Sequence, residues 1–266
     1  MFNSVVIAAD VDGGRVRAVP VGASLADLGR LPVKLLTVVS QASGSDDPAL
    51  AQMAELGVRD VLRVVHHDVA TAIVENARSR QDVVLVMATN AKSLVSQQLR
   101  GSVSAAVLQQ LRHPVLLVGP AVPEPPRLGS PTLVVCTDRS QDSSAALPVV
   151  ESWQRTFGGS TPWIVEVMPT AAWPAGTTDD AADHEHIDAL AAVLADHGID
   201  AATRVLHGGD PVEWLLEFGA TVDDAVFVAT STRWAGSRSH WYSTTRRLVA
   251  RSPRPVLVVP ADLPGY

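Results

Sequence analysis

The chain has 266 residues, of which 47% are hydrophobic and 18% charged, and its formal net charge at pH 7 is -7. This composition is typical of a globular protein with a sizeable core, and the acidic balance disfavours nucleic acid, which needs a basic face. No apolar run reaches the roughly 18 residues that span a bilayer, and the opening MFNSVVIAAD lacks the features of a signal peptide. We therefore expect a cytoplasmic protein without membrane contact.

The first half opens with the apolar run VVIAAD, which predicts a buried parallel strand ending at Asp10. In open parallel sheets ligands gather outside the carboxyl ends of strands, so this carboxylate is placed to meet one. A polar cap that simply ends the strand is the alternative. Residues 16–30 have a weak helical pattern, interrupted by Pro20 and Gly22. The second strand, VKLLTVVS, contains Val38.

A third strand at 61–65 ends at His66, and a helix from about residue 68 leads into a fourth strand at 83–87. The chain then continues through a long loop into the helix GSVSAAVLQQL and a fifth strand. Ser102, after Gly101, opens this helix with a small polar side chain. Helix N-termini of this kind present free N–H groups and a positive dipole end, which favour an anion.

The second half repeats the first. Adding 141 to each number of residues 88–118 gives residues 229–259 without a gap, and the first strand is matched by LVVCTD, which ends at Asp138. The repeats differ in length between their second and third strands, where residues 170–183 hold the insertion. The proline-rich stretch 119–131 lies between the halves and predicts an extended connector. Strands that alternate with helices predict α/β units with parallel sheets.

We therefore predict two tandem doubly wound domains of the Rossmann-like α/β class, each with a five-stranded parallel sheet. The predicted boundaries are residues 1–120 for the first domain, 121–131 for the linker and 132–266 for the second domain.

Three helices of the second half have local signals. The pattern at 142–157 predicts a helix that is kinked at Pro148. In HGGDPVEWLLEFGA, Asp210 is the predicted N-cap and Pro211 the first helical residue. In the last helical segment and just after it, clustered arginines predict a solvated, ion-paired surface: Arg246, Arg247, Arg251 and Arg254.

The segment GSVSAAVLQQLRHPVLLV resembles the closing segment of universal stress protein domains. The phosphate loop of that family runs Gly, two residues, Gly, nine residues, Gly, then Ser or Thr. This spacing is kept here, but Ala88, Ala91 and Gly101 fill the glycine positions in the first half, and Ala229, Thr232 and Tyr242 fill them in the second. The resemblance implies strand order 3-2-1-4-5 in each domain, with the fifth strands meeting across a pseudo-two-fold axis.

The resemblance also implies adenine-nucleotide sites, in which the aspartate contacts the adenosine and the valine lies beside the adenine. In the first half the matching residues are Asp10, Val38, Ala88, Ala91, Gly101, Ser102, Val103 and Ser104. In the second half they are Asp138, Val167, Ser243 and Thr244. The first half keeps the closing motif at 101–104, whereas Trp234, Trp241 and Tyr242 add bulk to the second. Of the two domains, the first is therefore the one expected to bind ATP.

The usual signatures of enzyme chemistry are missing from the sequence: it has no P-loop, no Gly-x-Ser-x-Gly elbow and no zinc spacing. The acidic, histidine-containing stretch 179–188 predicts the first turn of a helix ending near His197, rather than a metal site. Cys136 lies in an apolar run, which indicates an inert thiol. We expect no catalytic residues and no metal.

The leading hypothesis is a non-catalytic regulatory protein of the universal stress family with a degenerate nucleotide-binding loop. It would act in the stress response through protein partners or self-association, including a homodimer. One alternative is an ATP-binding and slowly ATP-hydrolysing member that uses the first-domain cleft. A structural pseudo-dimer that has lost ligand binding is the other.

Overall fold

The computed structural model describes residues 1–9, 17–39, 58–80, 82–89, 103–124, 128–168, 181–231 and 244–261. The strands of the first half are β1 (Ser4–Ala8), β2 (Val33–Val39), β3 (Asp60–Val65), β4 (Val83–Ala88) and β5 (Val115–Val118). Those of the second half are β6 (Thr132–Thr137), β7 (Trp163–Met168), β8 (Ala202–His207), β9 (Ala225–Ser231) and β10 (Val256–Pro260).

The helices lie between consecutive strands, as a doubly wound fold requires. They are α1 (Ala18–Gly29), α2 (Val69–Arg78), α3 (Val103–Gln110), α4 (Leu147–Phe157), α5 (Ala181–Asp196), α6 (Pro211–Ala220) and α7 (Thr244–Arg251). A 3-10 helix (Gln141–Ala146) precedes α4. Within the described ranges, no helix is both long and apolar enough to cross a membrane.

The ten strands form one sheet with the order β3-β2-β1-β4-β5-β10-β9-β6-β7-β8. Each half therefore has the predicted order 3-2-1-4-5, and the tandem doubly wound α/β fold is confirmed. The halves join where β5 pairs with β10 in the antiparallel direction, with Leu116 opposite Leu257. All other neighbouring strands are parallel. This junction removes two apolar edges that would otherwise invite aggregation.

The core has one layer on each face of the sheet. Helices α1, α4 and α5 cover one face, and α2, α3, α6 and α7 cover the other. Because successive side chains of a strand point to opposite faces, the central strands are apolar along their whole length. In β5, for example, Leu116 and Leu117 belong to opposite layers and both are fully buried.

Two helices differ from the sequence prediction. Helix α1 is continuous, because Pro20 lies in its first turn, where backbone N–H groups have no partner within the helix. At Gly22 a Cβ atom would lie 2.4 Å from Ile7 Cγ1, so glycine allows α1 to pack closely on β1. The predicted kink at Pro148 is wrong, since α4 begins only at Leu147 and the proline lies at its start.

The prediction for α5 is confirmed. This helix ends at Asp196, directly before His197, and Gly198 follows with a φ of +80°, the left-handed conformation in which glycine often ends helices. The predicted N-cap of α6 is confirmed as well: Asp210 Oδ1 accepts a hydrogen bond from the Val212 N–H at 3.0 Å, and Pro211 begins the helix.

The linker packs against the domains instead of extending freely. The side chains of Val122 and Leu128 are buried in the layer formed by α1, α4 and α5. Arg17, just before α1, pairs with Glu124 (Nε–Oε1 2.7 Å) and donates to the carbonyl oxygen of Pro120 at 3.3 Å. These contacts hold the connector against the first domain.

Candidate functional site

The carboxyl ends of the strands form two separate candidate clefts. Because β5 and β10 run antiparallel, the parallel strands of the first half point in the opposite direction to those of the second half. Ligands of doubly wound folds bind outside the carboxyl ends of strands. The carboxyl ends of the two halves therefore face in opposite directions along the strands. The two clefts lie at these opposite ends, and each is built by one half of the chain.

The first cleft is described in part. Asp10, Ala91, Gly101 and Ser102 lie outside the described residues. The remaining predicted residues are Val38 near the end of β2, Ala88 at the end of β4, and Val103 and Ser104 in the first turn of α3. Val38 and Ala88 are half-buried, Val103 is exposed and Ser104 is buried.

Two hydrogen bonds and one strand pairing place these elements side by side at the carboxyl ends of the first-half strands. The Ala9 N–H donates to the carbonyl oxygen of Leu36 at 3.1 Å, and the Thr89 N–H donates to that of Val118 at 3.0 Å. Ala8 pairs with Met87 on the neighbouring strand. The ends of β1, β2, β4 and β5 are thus side by side, and α3 starts at the same edge because it connects β4 to β5.

In the second cleft, Asp138 follows β6 and is held by two serines. Its Oδ1 accepts hydrogen bonds from Ser140 N at 3.1 Å, Ser140 Oγ at 2.6 Å and Ser143 Oγ at 3.1 Å. Burial alone would raise the pKa of Asp138, but these hydrogen bonds outweigh it and hold the pKa below its ordinary value. Asp138 is therefore an ionised carboxylate that helps to shape the turn after β6.

The other predicted residues of this cleft are less informative. Val167 is half-buried near the end of β7, Thr244 is exposed at the start of α7, and Ser243 lies outside the described residues. The next residue, Thr245, donates its hydroxyl to the carbonyl oxygen of Thr230 at 3.2 Å, which ties the start of α7 to β9.

Helix α7 is further held by ion pairs with α6. Arg247 contacts Asp210, and Arg251 Nη2 lies 2.7 Å from Glu213 Oε1. The hydrogen bond from Arg247 is the main reason why the pKa of Asp210 lies below its ordinary value. The sequence prediction treated the arginines of this helix as an ion-paired surface, and two of them pair in this way.

The sequence prediction missed three residues of the second cleft: Thr137, Arg139 and Glu166. Glu166 lies within β7 and is only 1% exposed. Its Oε1 accepts a hydrogen bond from Arg139 Nε at 2.5 Å, and Arg139 has a φ of +60° in the turn after β6. Thr137 is the register partner of Glu166 on β6. A charged residue inside the apolar run WIVEVM was the available signal.

Cys136 and His66 are two described residues of types that can act in catalysis. Burial raises the pKa of the Cys136 thiol to about 12, so the thiolate that acts as a nucleophile is scarce at neutral pH. His66, at the end of β3, accepts a hydrogen bond at Nδ1 from the Asp68 N–H at 2.9 Å and is exposed. In the described ranges no three His, Cys, Asp or Glu side chains are arranged to hold a metal ion.

Comparison with known families identifies the repeat. The model of the universal stress protein family matches the chain twice, at residues 5–119 and 130–260. A search of curated proteins gave no match.

Solved structures agree on the fold. A universal stress protein from Archaeoglobus fulgidus DSM 4304 superposes with a TM-score of 0.63 at 20% identity, covering 97% of this chain and 96% of that one. A protein of unknown function from Pseudomonas aeruginosa PAO1 gives 0.59 at 14% identity, covering 97% and 92%. A putative universal stress protein from P. aeruginosa UCBPP-PA14 gives 0.56 at 13% identity, covering 97% and 93%. At sequence identities this low, the comparison supports a shared fold and nothing further.

Proposed function

Because this chain belongs to the universal stress protein family, we propose that it is a non-catalytic regulatory protein of the stress response, which acts by binding protein partners or by self-association. One observation carries this proposal: the two carboxylates of the second cleft, Asp138 and Glu166, are held by neighbouring side chains. Asp138 accepts hydrogen bonds from two serines, and Glu166 is paired with Arg139. A general base works best with a pKa near neutrality, whereas the pKa of Asp138 is lowered.

We further propose that nucleotide binding is confined to the first domain and is weak. The motif at 101–104 supports this, because a glycine at its start lets a phosphate approach the backbone closely, and the N-terminal end of a helix such as α3 attracts an anion. Bulk at Trp234, Trp241 and Tyr242 opposes such an approach in the second domain. A bound nucleotide would then act as a signal that alters association with partners.

Self-association is proposed to use the outer strands. β3 and β8 are the two ends of the ten-stranded sheet, so each has one side without a strand neighbour in the described structure. Such edges are templates for pairing with another chain. On β3 the side chain of Val65 is 58% exposed, which is high for a large apolar residue and adds apolar area to this edge.

Calorimetric titration of ATP into the purified chain tests the nucleotide proposal. We expect one weak site per chain. Replacing Gly101 with tyrosine, in imitation of Tyr242, should abolish binding, and Ser102→Ala should weaken it. The matched variant in the second domain, Ser243→Ala, should leave the titration unchanged. Two equal sites per chain would contradict this assignment.

An ATP hydrolysis assay on the same proteins tests the non-catalytic proposal. Turnover should not exceed the background rate of ATP in buffer. Turnover that is present in the wild type and lost in Gly101→Tyr would overturn the proposal, because it would trace the chemistry to the first cleft.

A further inference from the structure

The two outer strands of the sheet occupy the same position in the internal repeat but carry different residues. In the described structure β3 and β8 each have a strand neighbour on one side only. The run VLRVV of β3 corresponds to ATRVL of β8, so that Arg63 matches Arg204. An edge strand offers unpaired backbone N–H and C=O groups to another chain. Two copies of this chain can therefore pair through like edges or through unlike edges.

Strand direction and side-chain facing both allow unlike edges to pair. Because the halves run antiparallel to each other, β3 and β8 point in opposite directions. A second copy placed beyond β8 in the same orientation thus brings its β3 antiparallel to β8. Val61 of β3 and Val205 of β8 pack in the same layer, formed with α1, α4 and α5. Both helical layers would therefore continue from one copy to the next, as they do across the β5–β10 junction.

The alternation of side chains limits the register of this pair. Residues directly opposite each other in an antiparallel pair lie on the same face of the sheet. Val61 opposite Val205 of the next copy meets this condition and pairs five residues of each strand. The same register places Val65, whose side chain is 58% exposed, opposite the small residue Ala201. Apolar side chains thus meet on the face that carries α1, α4 and α5.

The charges on the other face match in this register. With Val61 opposite Val205, Asp60 of one copy becomes the diagonal neighbour of Arg204 in the next, a separation that a long side chain spans. The Asp60 side chain is 61% exposed and pairs on its other side with Lys34 (Nζ–Oδ2 3.1 Å). Arg204 is exposed as well. A carboxylate has two acceptor oxygens, so Asp60 can bind both cations.

Like edges have no such match. In every antiparallel register that pairs at least four residues, two β3 strands place Arg63 opposite or diagonal to Arg63 of the other copy. Two β8 strands do the same with Arg204. Like charges at these positions are destabilising. Arg63 shares a face with Val61, whereas Arg204 shares the opposite face with Leu206. The two arginines therefore never become neighbours when unlike edges pair.

From these constraints we propose that copies of this chain associate head to tail, with β3 of one copy antiparallel to β8 of the next and Val61 opposite Val205. The inference rests on the proposed self-association, and it specifies the partner as a second copy of the chain and the contact as one pair of unlike edges. Such a contact leaves one unpaired β3 and one unpaired β8 on an open assembly, so association continues beyond a dimer.

Sedimentation velocity of the full chain over a range of protein concentrations tests the inference. We expect the average mass to rise past that of a dimer. Asp60→Arg places an arginine beside Arg204 of the next copy, and Arg204→Asp places an aspartate beside Asp60. Each variant should raise the concentration needed for association about fivefold. The double variant should restore association, and so should an equimolar mixture of the two single variants, because each supplies the charge that the other needs.

Two controls separate an effect at the edges from a general effect of charge. Asp27→Arg makes the same change of charge on α1, which packs on β1 and β4, and should leave the average mass unchanged. Arg63→Gln relieves the repulsion between two β3 strands, but in the proposed register Arg63 faces Thr203, so this change should not produce a dimer. Arg204→Asp leaves the pair between Lys34 and β3 intact and remains informative if Asp60→Arg destabilises the chain.

Three results would overturn the inference. Association that stops at a dimer would indicate a two-fold contact, and the proposed self-association would stand without this geometry. Association that is unchanged in both Asp60→Arg and Arg204→Asp would place the contact on another surface, with the same consequence. A monomer at every concentration would remove self-association as well, and the proposed function would then depend on other protein partners.

Discussion

The two domains share a strand order but differ in how their last helix is held. In the second domain, α7 carries Arg247 and Arg251, which pair with acidic residues at the start of α6. The corresponding positions of α3 in the first domain are Ala106 and Gln110. There the link to the preceding helix is a hydrogen bond from Arg78 to the carbonyl oxygen of Gln110 at 2.6 Å.

The second strands differ in the same way. β2 contains Thr37 where β7 contains the buried Glu166 with its partner Arg139. Both strands nevertheless occupy the same place in their sheets. Apolar residues on both faces maintain the shared backbone, so polar residues at the strand ends are free to diverge. One fold thus carries different polar residues at the strand ends of its two candidate clefts.

Separating the domains should have the largest effect. Residues 1–120 and 132–266, produced as isolated halves, would each expose a central strand, β5 or β10, that is fully or almost fully buried in the whole chain. We expect the halves to aggregate or dimerise, because unpaired apolar edges recruit other strands. Analytical ultracentrifugation measures the outcome. Two monodisperse monomers would show that the β5–β10 junction contributes little.

Among the single substitutions, Arg139→Ala should lower the stability of the chain most. It leaves the Glu166 carboxylate buried without a cation, and removing one partner of a buried pair lowers the free energy of unfolding by about 3 kcal/mol. The double variant Arg139→Ala, Glu166→Met should regain most of this loss. Urea denaturation provides the measurement. A loss near 0.5 kcal/mol, typical of an exposed pair, would contradict the role assigned to this ion pair.

The N-caps of α2 and α6 offer a matched comparison of smaller effects. Asp210→Ala removes a cap and the partner of Arg247, and should destabilise the chain by about 1 to 2 kcal/mol. Asp68 caps α2 through Ala70 and Thr71 but has no arginine partner among the described residues that would add to the loss. The melting temperature of Asp210→Ala should therefore be lower than that of Asp68→Ala. The reverse ranking would show that the α6–α7 ion pairs are not coupled to the cap.

As the pH falls, the second domain should lose stability before the first. Among the described residues, the carboxyls whose pKa is lowered are Asp68 in the first domain and Asp138, Glu151 and Asp210 in the second. For Glu151 the main cause is the hydrogen bond from His197. A group with a depressed folded pKa contributes stability above its unfolded pKa, near 4, and loses it as the pH falls through the folded pKa.

Hydrogen exchange followed by mass spectrometry tests this between pH 5 and pH 3. Amides of α4, α6 and α7 should lose protection before those of α1 and α2, after correction for the intrinsic effect of pH on exchange. Uniform loss across both domains would mean that the single sheet unfolds as one unit.

The repeat explains why so much of the fold could be predicted. The apolar runs indicated ten buried strands because burial on both faces leaves the same pattern whatever the neighbouring strand is. The end of α5 was predictable as well, because Gly198 adopts a conformation that other residues disfavour. Pro20 and Pro148 misled the prediction because the effect of a proline depends on its distance from the start of the helix. That start could not be located to within one turn.

Sequence alone determined the tandem α/β architecture, because periodicity and repeat spacing are local properties of the chain. The meeting of β5 and β10 was implied only by the family resemblance, whereas the register of that pair and the ion pair between Arg139 and Glu166 were decided by the tertiary structure. The run WIVEVM shows that a buried strand contains the charged residue Glu166. Its partner, Arg139, follows a different strand, β6. Only the register of β6 against β7 brings the two side chains together, and register depends on contacts between residues that are distant in sequence.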